Sequence, residues 1–301
     1  MSISVYNITH GGCDDGLASA WVMKRAIPGI KTVFSTFNHE WKEYNFEAGD
    51  KVIFTDFCPD PSETVELLNK GVDVKIIDHH ATAREKLDAF KDRRSIEHCY
   101  HLDMNYCGSY LTWRFYFPNE ERPEILKYIN ISDMWQWDKA EDSMEVCAWV
   151  RHNLTMNDTD SFQRLYETWN IPKAQEQGKL LVEQVKALVA KLATNRYELN
   201  FDGTLVHAIN DSLFPSDLGH EFEKTSPSGI GVTYYISPVN GIVKVSARGK
   251  GAKEFCERYG GGGHPLAAGF VMNMKEFMRF FETAKAVKRE KIINSRLDTV
   301  E

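Results

Sequence analysis

Apolar residues recur along this chain with two different periods, and the change from one to the other divides it. Short alternating or wholly apolar runs predict strands at SVYNITH (4–10), TVFSTFN (32–38), DKVIFTDF (50–57) and VDVKIIDHH (72–80). Between them, GLASAWVMKRAI (16–27) and PSETVELLNKG (61–71) space their apolar residues as a helix does. That alternation predicts an α/β unit, a mostly parallel sheet covered by helices. Over 108–153 the pattern turns helical, and SYLTWRFYF and PEILKYINISDMWQW carry aromatics at helical spacing. These aromatics, with Trp135, Trp137 and Trp149, read as packing residues rather than a stacking platform, because the pattern lacks compensating basic interleaving.

Residues 171–199 set apolar side chains at helical intervals among Lys, Glu and Gln, which predicts a long amphipathic connector. Beyond it, TLVHAIN, GIGVTYYIS and GIVKVSARG read as strands of a smaller α+β unit. The expected organisation is a first domain over 1–170, a helical connector over 171–200 and a second domain over 201–301. The basic stretch 285–296 reads as a solvated helical face.

A chain of 301 residues with 43% hydrophobic content can bury a sizeable core and fits two domains better than one. No apolar run reaches the length of a membrane span, and the first residues lack the features of a signal peptide, so a cytoplasmic protein without membrane partners is expected. Six scattered cysteines without CxxC spacing read as free thiols rather than disulfides or a structural zinc site. The formal net charge of −7 argues against a protein that holds long nucleic acid by a broad basic surface, so no long duplex partner is expected. A short oligonucleotide or single nucleotide is compatible with it.

Chemistry gathers where predicted strands end. His10 with Asp14 and Asp15 follows the first strand, Asp56 lies in FTDFCP, and Asp78, His79 and His80 close the fourth. Asp133 sits on a predicted helix in NISDMWQWD. An isolated Asp at a strand end is usually a cap or turn residue, the ordinary reading for Asp60 and Ser62. Several carboxylates converging on one sheet edge repel unless cations neutralise them. Carboxylate and imidazole donors without a thiolate pair suit manganese or another divalent metal of intermediate hardness. The residues therefore point to two-metal phosphoester hydrolysis, in which an activated water attacks phosphorus.

The same residues resemble the DHH phosphoesterase superfamily, named for the triplet found here as Asp78, His79 and His80. The order His10, Asp15-Gly16, Ser19-Ala20, Asp56, the triplet and Asp133 is similar to that family's four motifs. VSARG followed by YGGGGHPLAAGF resembles the core of the DHHA1 domain that accompanies many members. The resemblance implies one metal at His10 and Asp56, a second at Asp15, Asp56, His79 and Asp133, and Asp56 as the bridge. It implies His80 at the substrate phosphate or in proton management, and Asp78 orienting an imidazole. Arg248 and His264, with the amides of Gly261, Gly262 and Gly263, would hold a terminal phosphate or nucleotide. Two manganese ions are expected, with magnesium or cobalt as substitutes.

One position departs from the family. HGGCDDG puts Cys13 where many members carry an Asp, so Asp14, Cys13 or a water fills that place, or the first metal binds weakly. The resulting expectation is an end-directed phosphodiesterase of short oligonucleotides or small nucleotides. A cyclic dinucleotide phosphodiesterase and a 3′-phosphoadenosine 5′-phosphate phosphatase are the alternatives within enzymes, and a silent nucleotide sensor is the alternative outside them.

Overall fold

The computed structural model describes residues 3–36 and 39–287. Contacts divide the chain into two units, Met1–Val182 and Glu183–Glu301. The first opens with β1 (Val5–His10), α1 (Asp14–Ala26), β2 (Lys31–Ser35), β3 (Lys51–Thr55), α2 (Pro61–Asn69) and β4 (Asp73–Asp78). It continues with α3 (Ala81–Ala89), α4 (Arg93–Ile96), β5 (Tyr100–Leu102), α5 (Gly108–Tyr116), α6 (Glu124–Asp133), α7 (Ser143–Asn153) and α8 (Thr159–Glu167). Helix α9 (Ile171–Ala193) crosses from this unit into the next.

The five strands form one sheet in the order β2-β1-β3-β4-β5, every pair parallel. Parallel strands share one carboxyl edge, and this order brings the ends of β1, β3 and β4 side by side there. The chain crosses from β1 to β2 on one side and reaches β3 on the other, so the ends of β1 and β3 flank a topological switch point, where open α/β sheets bind ligands. Ile8, Val52, Phe54, Val74 and Ile76 are buried in the core of this sheet. Such runs of branched and aromatic residues are what a strand covered on both faces requires.

Helix α1 packs its Leu17, Ala18, Trp21 and Val22 into a second core with Trp113, Ile125, Ile129, Trp149 and Phe162. The small residues of GLASA let it lie close to β1, since a Cβ on Gly16 would stand 2.0 Å from the His10 carbonyl oxygen. Trp149 is buried and Trp137 packs partly against the same core, as their pattern predicts. Trp135 departs from it. The residue is 58% exposed, because α6 has ended and the backbone turns at a φ of 53°. Basic interleaving is also present: Tyr106 and Tyr110 stack at 4.3 Å, with the guanidinium groups of Arg114 and Arg122 over their respective rings at 5.3 and 4.1 Å.

The second unit contains β6 (Tyr197–Phe201), β7 (Thr204–Asn210), α10 (Pro215–Glu223), β8 (Gly231–Ser237), β9 (Ile242–Arg248) and α11 (Ala252–Glu257). It ends with β10 (Gly262–His264), β11 (Ala267–Asn273), α12 (Met274–Phe281) and β12 (Lys285–Ala286). The seven strands form a mixed sheet in the order β10-β11-β9-β8-β7-β6-β12. Helical spacing over 171–199 thus gives way at Tyr197 to a strand, in which Leu199 and Phe201 alternate inward. Lys285 is likewise in a strand, while the rest of the expected solvated helix lies largely outside the described residues.

Phe201 is fully buried among Phe255, Phe270, Phe277 and Phe280, its ring stacked on that of Phe280 at 4.3 Å. Phe201→Ala should therefore cost about 3–5 kcal/mol in a denaturant titration of the whole chain. A loss below about 1 kcal/mol would show that the cluster does not hold the second unit together.

Candidate metal centre

Four segments meet at the carboxyl edge of the parallel sheet. Residue His10 ends β1, Asp56 follows β3, and Asp78, His79 and His80 end β4 and enter the loop before α3. Helix α1 brings Asp15 in its first turn, and Asp133 is the last residue of α6. Their donor atoms form three overlapping groups: Asp56 with Asp78, His79 and His80; His10 with Cys13 and Asp56; and Asp15 with His79 and Asp133.

The carboxylate of Asp56 belongs to two of these groups. Its Oδ1 lies 3.2 Å from His79 Nε2 and 4.0 Å from His80 Nδ1, while Oδ2 lies 3.8 Å from His10 Nδ1 and 3.4 Å from Cys13 Sγ. The residue is only 2% exposed, and its φ of 51° is one that Asp tolerates better than most residues. His79 Nε2 also stands 3.4 Å from Asp133 Oδ2 and 3.9 Å from Asp15 Oδ2.

These distances fit donors arranged around an ion. With bonds of about 2.1 Å, neighbouring ligand atoms lie about 3.0–3.4 Å apart and opposite ones about 4.2 Å. A divalent cation would also supply what the side chains lack. His79 Nε2, Asp133 Oδ2 and Asp78 Oδ2 are buried without a hydrogen-bond partner, an arrangement that is costly unless something else satisfies them. Burial and then the charge of Asp15 push the Asp133 carboxyl up to about 6, and the same two causes hold Asp56 well above the usual carboxylate range.

Asp15 is positioned by a helix that the sequence pattern does not assign to the site. Its Oδ2 accepts the Gly108 amide at 2.6 Å and its Oδ1 the Ser109 amide at 2.9 Å, so the carboxylate sits on the N-terminus of α5. Gly108 is required by space: a Cβ there would stand 2.5 Å from Asp56 Cβ and 2.8 Å from Asp56 Cα. The signal in the sequence was a small pair, Gly108-Ser109, opening an aromatic-rich helical pattern directly after a Cys.

Asp14, the other expected ligand of this segment, is directed elsewhere. One residue earlier on α1, it pairs with Arg151 Nε at 3.0 Å and joins none of the three donor groups. Cys13 takes the place beside His10, with Sγ 3.3 Å from His10 Nδ1. It also accepts the Gly16 amide at 3.2 Å and so caps α1. Burial, followed by the charges of Asp56 and Asp15, raises its thiol pKa in the metal-free chain.

Asp78 is 0% exposed and holds His80 Nδ1 at 2.8 Å. Burial alone would lower the His80 pKa, but the hydrogen bond and charge of Asp78, aided by Asp56, raise it to about 9. Burial alone would raise Asp78, and its bond to His80 reverses that. His10 is lowered, first by burial and then by repulsion from His80.

The expected phosphate-binding residues lie together in the second unit. Ala267 of β11 stands opposite both Arg248 of β9 and His264 of β10, and paired positions share a sheet face. The Arg248 guanidinium donates to Ser216 Oγ at 2.8 Å, Ser246 Oγ at 3.0 Å and the Ala247 carbonyl at 2.9 Å, while its buried Nε has no partner. No carboxylate pairs with it among the described residues. The glycine run leaves a turn at Gly260 and enters β10 at Gly262. Gly261 and Gly263 let β10 close on β11, where a Cβ would meet the Gly269 and Ala267 carbonyl oxygens at 2.2 and 2.6 Å, whereas Gly262 faces open space.

No family model matches the chain. The uncharacterised protein R106 of Acanthamoeba polyphaga mimivirus is 24% identical over 294 residues, covering 88% of this chain and 66% of that protein. The chain thus spans just under two thirds of that relative's length. Among solved structures, it is similar to the pGpG-specific phosphodiesterase PggH of Vibrio cholerae, at 12% identity and TM-score 0.47 over 93% of this chain and 97% of that one. It is similar also to RecJ of Thermus thermophilus in complex with Mn2+, at 15% identity and TM-score 0.47 over 93% of this chain and 51% of that one. In its motifs, and in the Asp and His cluster those motifs form, the chain resembles the DHH phosphoesterase superfamily. Its architecture is mixed α/β, with an all-parallel sheet in one unit and a mixed sheet in the other. Among the described residues no helix is long and apolar enough to cross a membrane.

Two outcomes follow from this geometry. Gly108→Ala should destabilise the chain by about 1–3 kcal/mol and weaken divalent-metal binding measured by calorimetry, because Asp15 and Asp56 must move apart. Unchanged metal affinity would sink that account. The second concerns the metal-free state, where a carboxyl raised from 3.8 to about 6 stabilises the fold at low pH and loses that contribution as pH climbs through 6. In chelator, the melting temperature of the wild type should fall relative to Asp133→Asn between about pH 4 and about pH 6, and added divalent metal should reverse the fall. A difference that stays flat would remove Asp133 as the strained group.

Proposed function

We propose that the chain is a divalent-metal-dependent phosphodiesterase that hydrolyses short oligonucleotides or small nucleotides from one end. The observation that carries this reading is the split of Asp56, with one oxygen toward His79 and the other toward His10 and Cys13. A carboxylate so placed serves two cations at once. Such cations, when bound, supply Lewis acidity at the phosphoester and lower the pKa of a water nucleophile. In this reading Asp15, His79 and Asp133 hold one cation, His10 holds the other, and Asp56 bridges them.

The remaining residues manage charge and orientation. Asp78 occupies Nδ1 of His80, fixing the ring and leaving Nε2 as the atom that addresses the substrate. The bond to Asp78 raises the proton affinity of His80, which suits it to bond a phosphate oxygen or return a proton to the leaving oxygen. In the second unit, Arg248 offers a guanidinium without an ion-pair partner among the described residues, and His264 lies two strands away at the same level of the sheet. Arg recognises phosphate bidentately, and an edge strand of glycines exposes backbone N–H groups that no side chain screens. A site that captures a terminal phosphate there would count nucleotides from that end. The compact set of ligands, and not a broad basic surface, is the reason to expect a short substrate.

The test is product analysis by mass spectrometry. The full chain, with manganese, is incubated with two- to ten-residue RNA and DNA oligomers, cyclic dinucleotides and 3′-phosphoadenosine 5′-phosphate. Mononucleotides should be released from the shortest oligomers, and His80→Ala should lower kcat by about 10²–10⁴-fold. His79→Ala should weaken metal binding by at least the about 10–100-fold typical of losing a mere supporting partner. Turnover of the cyclic compounds alone would select the alternative phosphodiesterase, and nucleotide binding without turnover of any compound would select a sensor.

A further inference from the structure

The geometry points to Cys13 as a metal ligand: its thiolate, with His10 and Asp56, forms a nitrogen, sulfur and oxygen site that selects a zinc-, cobalt- or iron(II)-class cation over magnesium. This rests on the reading that the cluster holds divalent cations, and it goes further by giving the two halves of the centre different metal preferences. The three donor atoms, His10 Nδ1, Cys13 Sγ and Asp56 Oδ2, stand 3.3, 3.4 and 3.8 Å apart. Around a tetrahedral ion with bonds of about 2.3 Å to sulfur and about 2.0–2.2 Å to nitrogen and oxygen, such atoms would be separated by about 3.4–3.6 Å. The triangle already has the size of a half-built site.

Three features put sulfur there and keep oxygen out. Cys13 is the cap of α1, so its side chain turns back over the helix start toward His10, where the Gly16 amide also reaches it. The oxygen donor next along the chain, Asp14, is held by Arg151 and joins no donor group. The N-terminus of a thirteen-residue helix favours a thiolate, as it favours any anion. Binding would release the thiol proton, which now points at Asp56 Oδ2, and leave that oxygen to the metal.

The contrast with the other half is chemical. Asp15, His79 and Asp133 present two oxygens and one nitrogen, a set that accommodates manganese or magnesium. Replacing one oxygen by thiolate moves the preference of the first half toward softer ions, because magnesium gains little from sulfur while zinc, cobalt and iron(II) gain much. The centre is then a mixed pair, hard on the side of α6 and softer on the side of β1.

The test uses the full chain stripped of metal and titrated with cobalt(II) without oxygen, read by absorption. Cobalt bound to a thiolate gives a sulfur-to-metal charge-transfer band in the near ultraviolet that oxygen and nitrogen ligands do not give. Wild type and Cys58→Ser, which removes the other half-buried cysteine, should show the band. Cys13→Ser and Cys13→Asp should lose it, and both new residues can still cap α1, so the fold is kept. By competition calorimetry, Cys13→Asp should reduce the preference for cobalt over magnesium by about tenfold or more. A band of equal strength in Cys13→Ser overturns the assignment. Cobalt bound by the wild type without a band overturns it too, yet leaves the metal centre standing. No cobalt bound by any form would overturn the metal centre as well.

Discussion

Everything at the carboxyl edge of the parallel sheet depends on one electrostatic constraint, the burial of carboxylates that do not neutralise each other. Asp15, Asp56 and Asp78 are almost wholly removed from water, and Asp133 adds a fourth charge to the same space. Asp78 is relieved at one oxygen by bonding His80, and Asp15 at both by accepting two amides at the start of α5. For Asp56 the nearby relief comes from the imidazoles of His10, His79 and His80 and for Asp133 from that of His79, and both carboxyls keep a raised proton affinity. A cation is the simplest species that would satisfy all of them together.

The surrounding fold serves this constraint. Glycines at 16 and 108 remove the Cβ atoms that would keep α1 off β1 and α5 off Asp56. The Asn130 side chain of α6 accepts the Cys107 amide at 2.9 Å, tying the helix that carries Asp133 to the turn that precedes Gly108. The supporting groups are backbone amides and close contacts rather than further ion pairs. That choice suits a metal site, because a fixed dipole holds a carboxylate in place without competing for the ion.

Much of this was legible in the sequence. Four strands of the parallel sheet, β1 to β4, and the Asp-His-His triplet at the end of β4 follow from short apolar runs that stop on polar residues, whereas the three-residue β5 offers no such run. Three strands of the second unit, β7, β8 and β9, are equally plain in their alternation. What escaped has a common physical character. The role of Gly108, the pairing of the glycine run as β10, and the exposure of Trp135 all depend on contacts between segments far apart in the chain or on a single backbone turn. Periodicity is a property of one segment, so it describes which face a residue takes within an element and is silent about what arrives opposite that face.

The same limit explains why the choice between Cys13 and Asp14, the two residues before Asp15, had to be left open in the sequence. Three consecutive polar residues at a helix start leave it in three directions. Cys13 is still extended, at φ −129° and ψ 158°, so its sulfur folds over the first turn toward His10. Asp14 and Asp15 are helical and lie about 100° apart around the axis, which follows from 3.6 residues per turn. One of them must therefore face outward, where Arg151 holds it, and the other inward, where the amides of α5 do. A helix beginning one residue earlier would have turned Asp14 inward and moved the sulfur away. The cap position is thus what decides that a thiol, rather than a second carboxylate, stands beside His10.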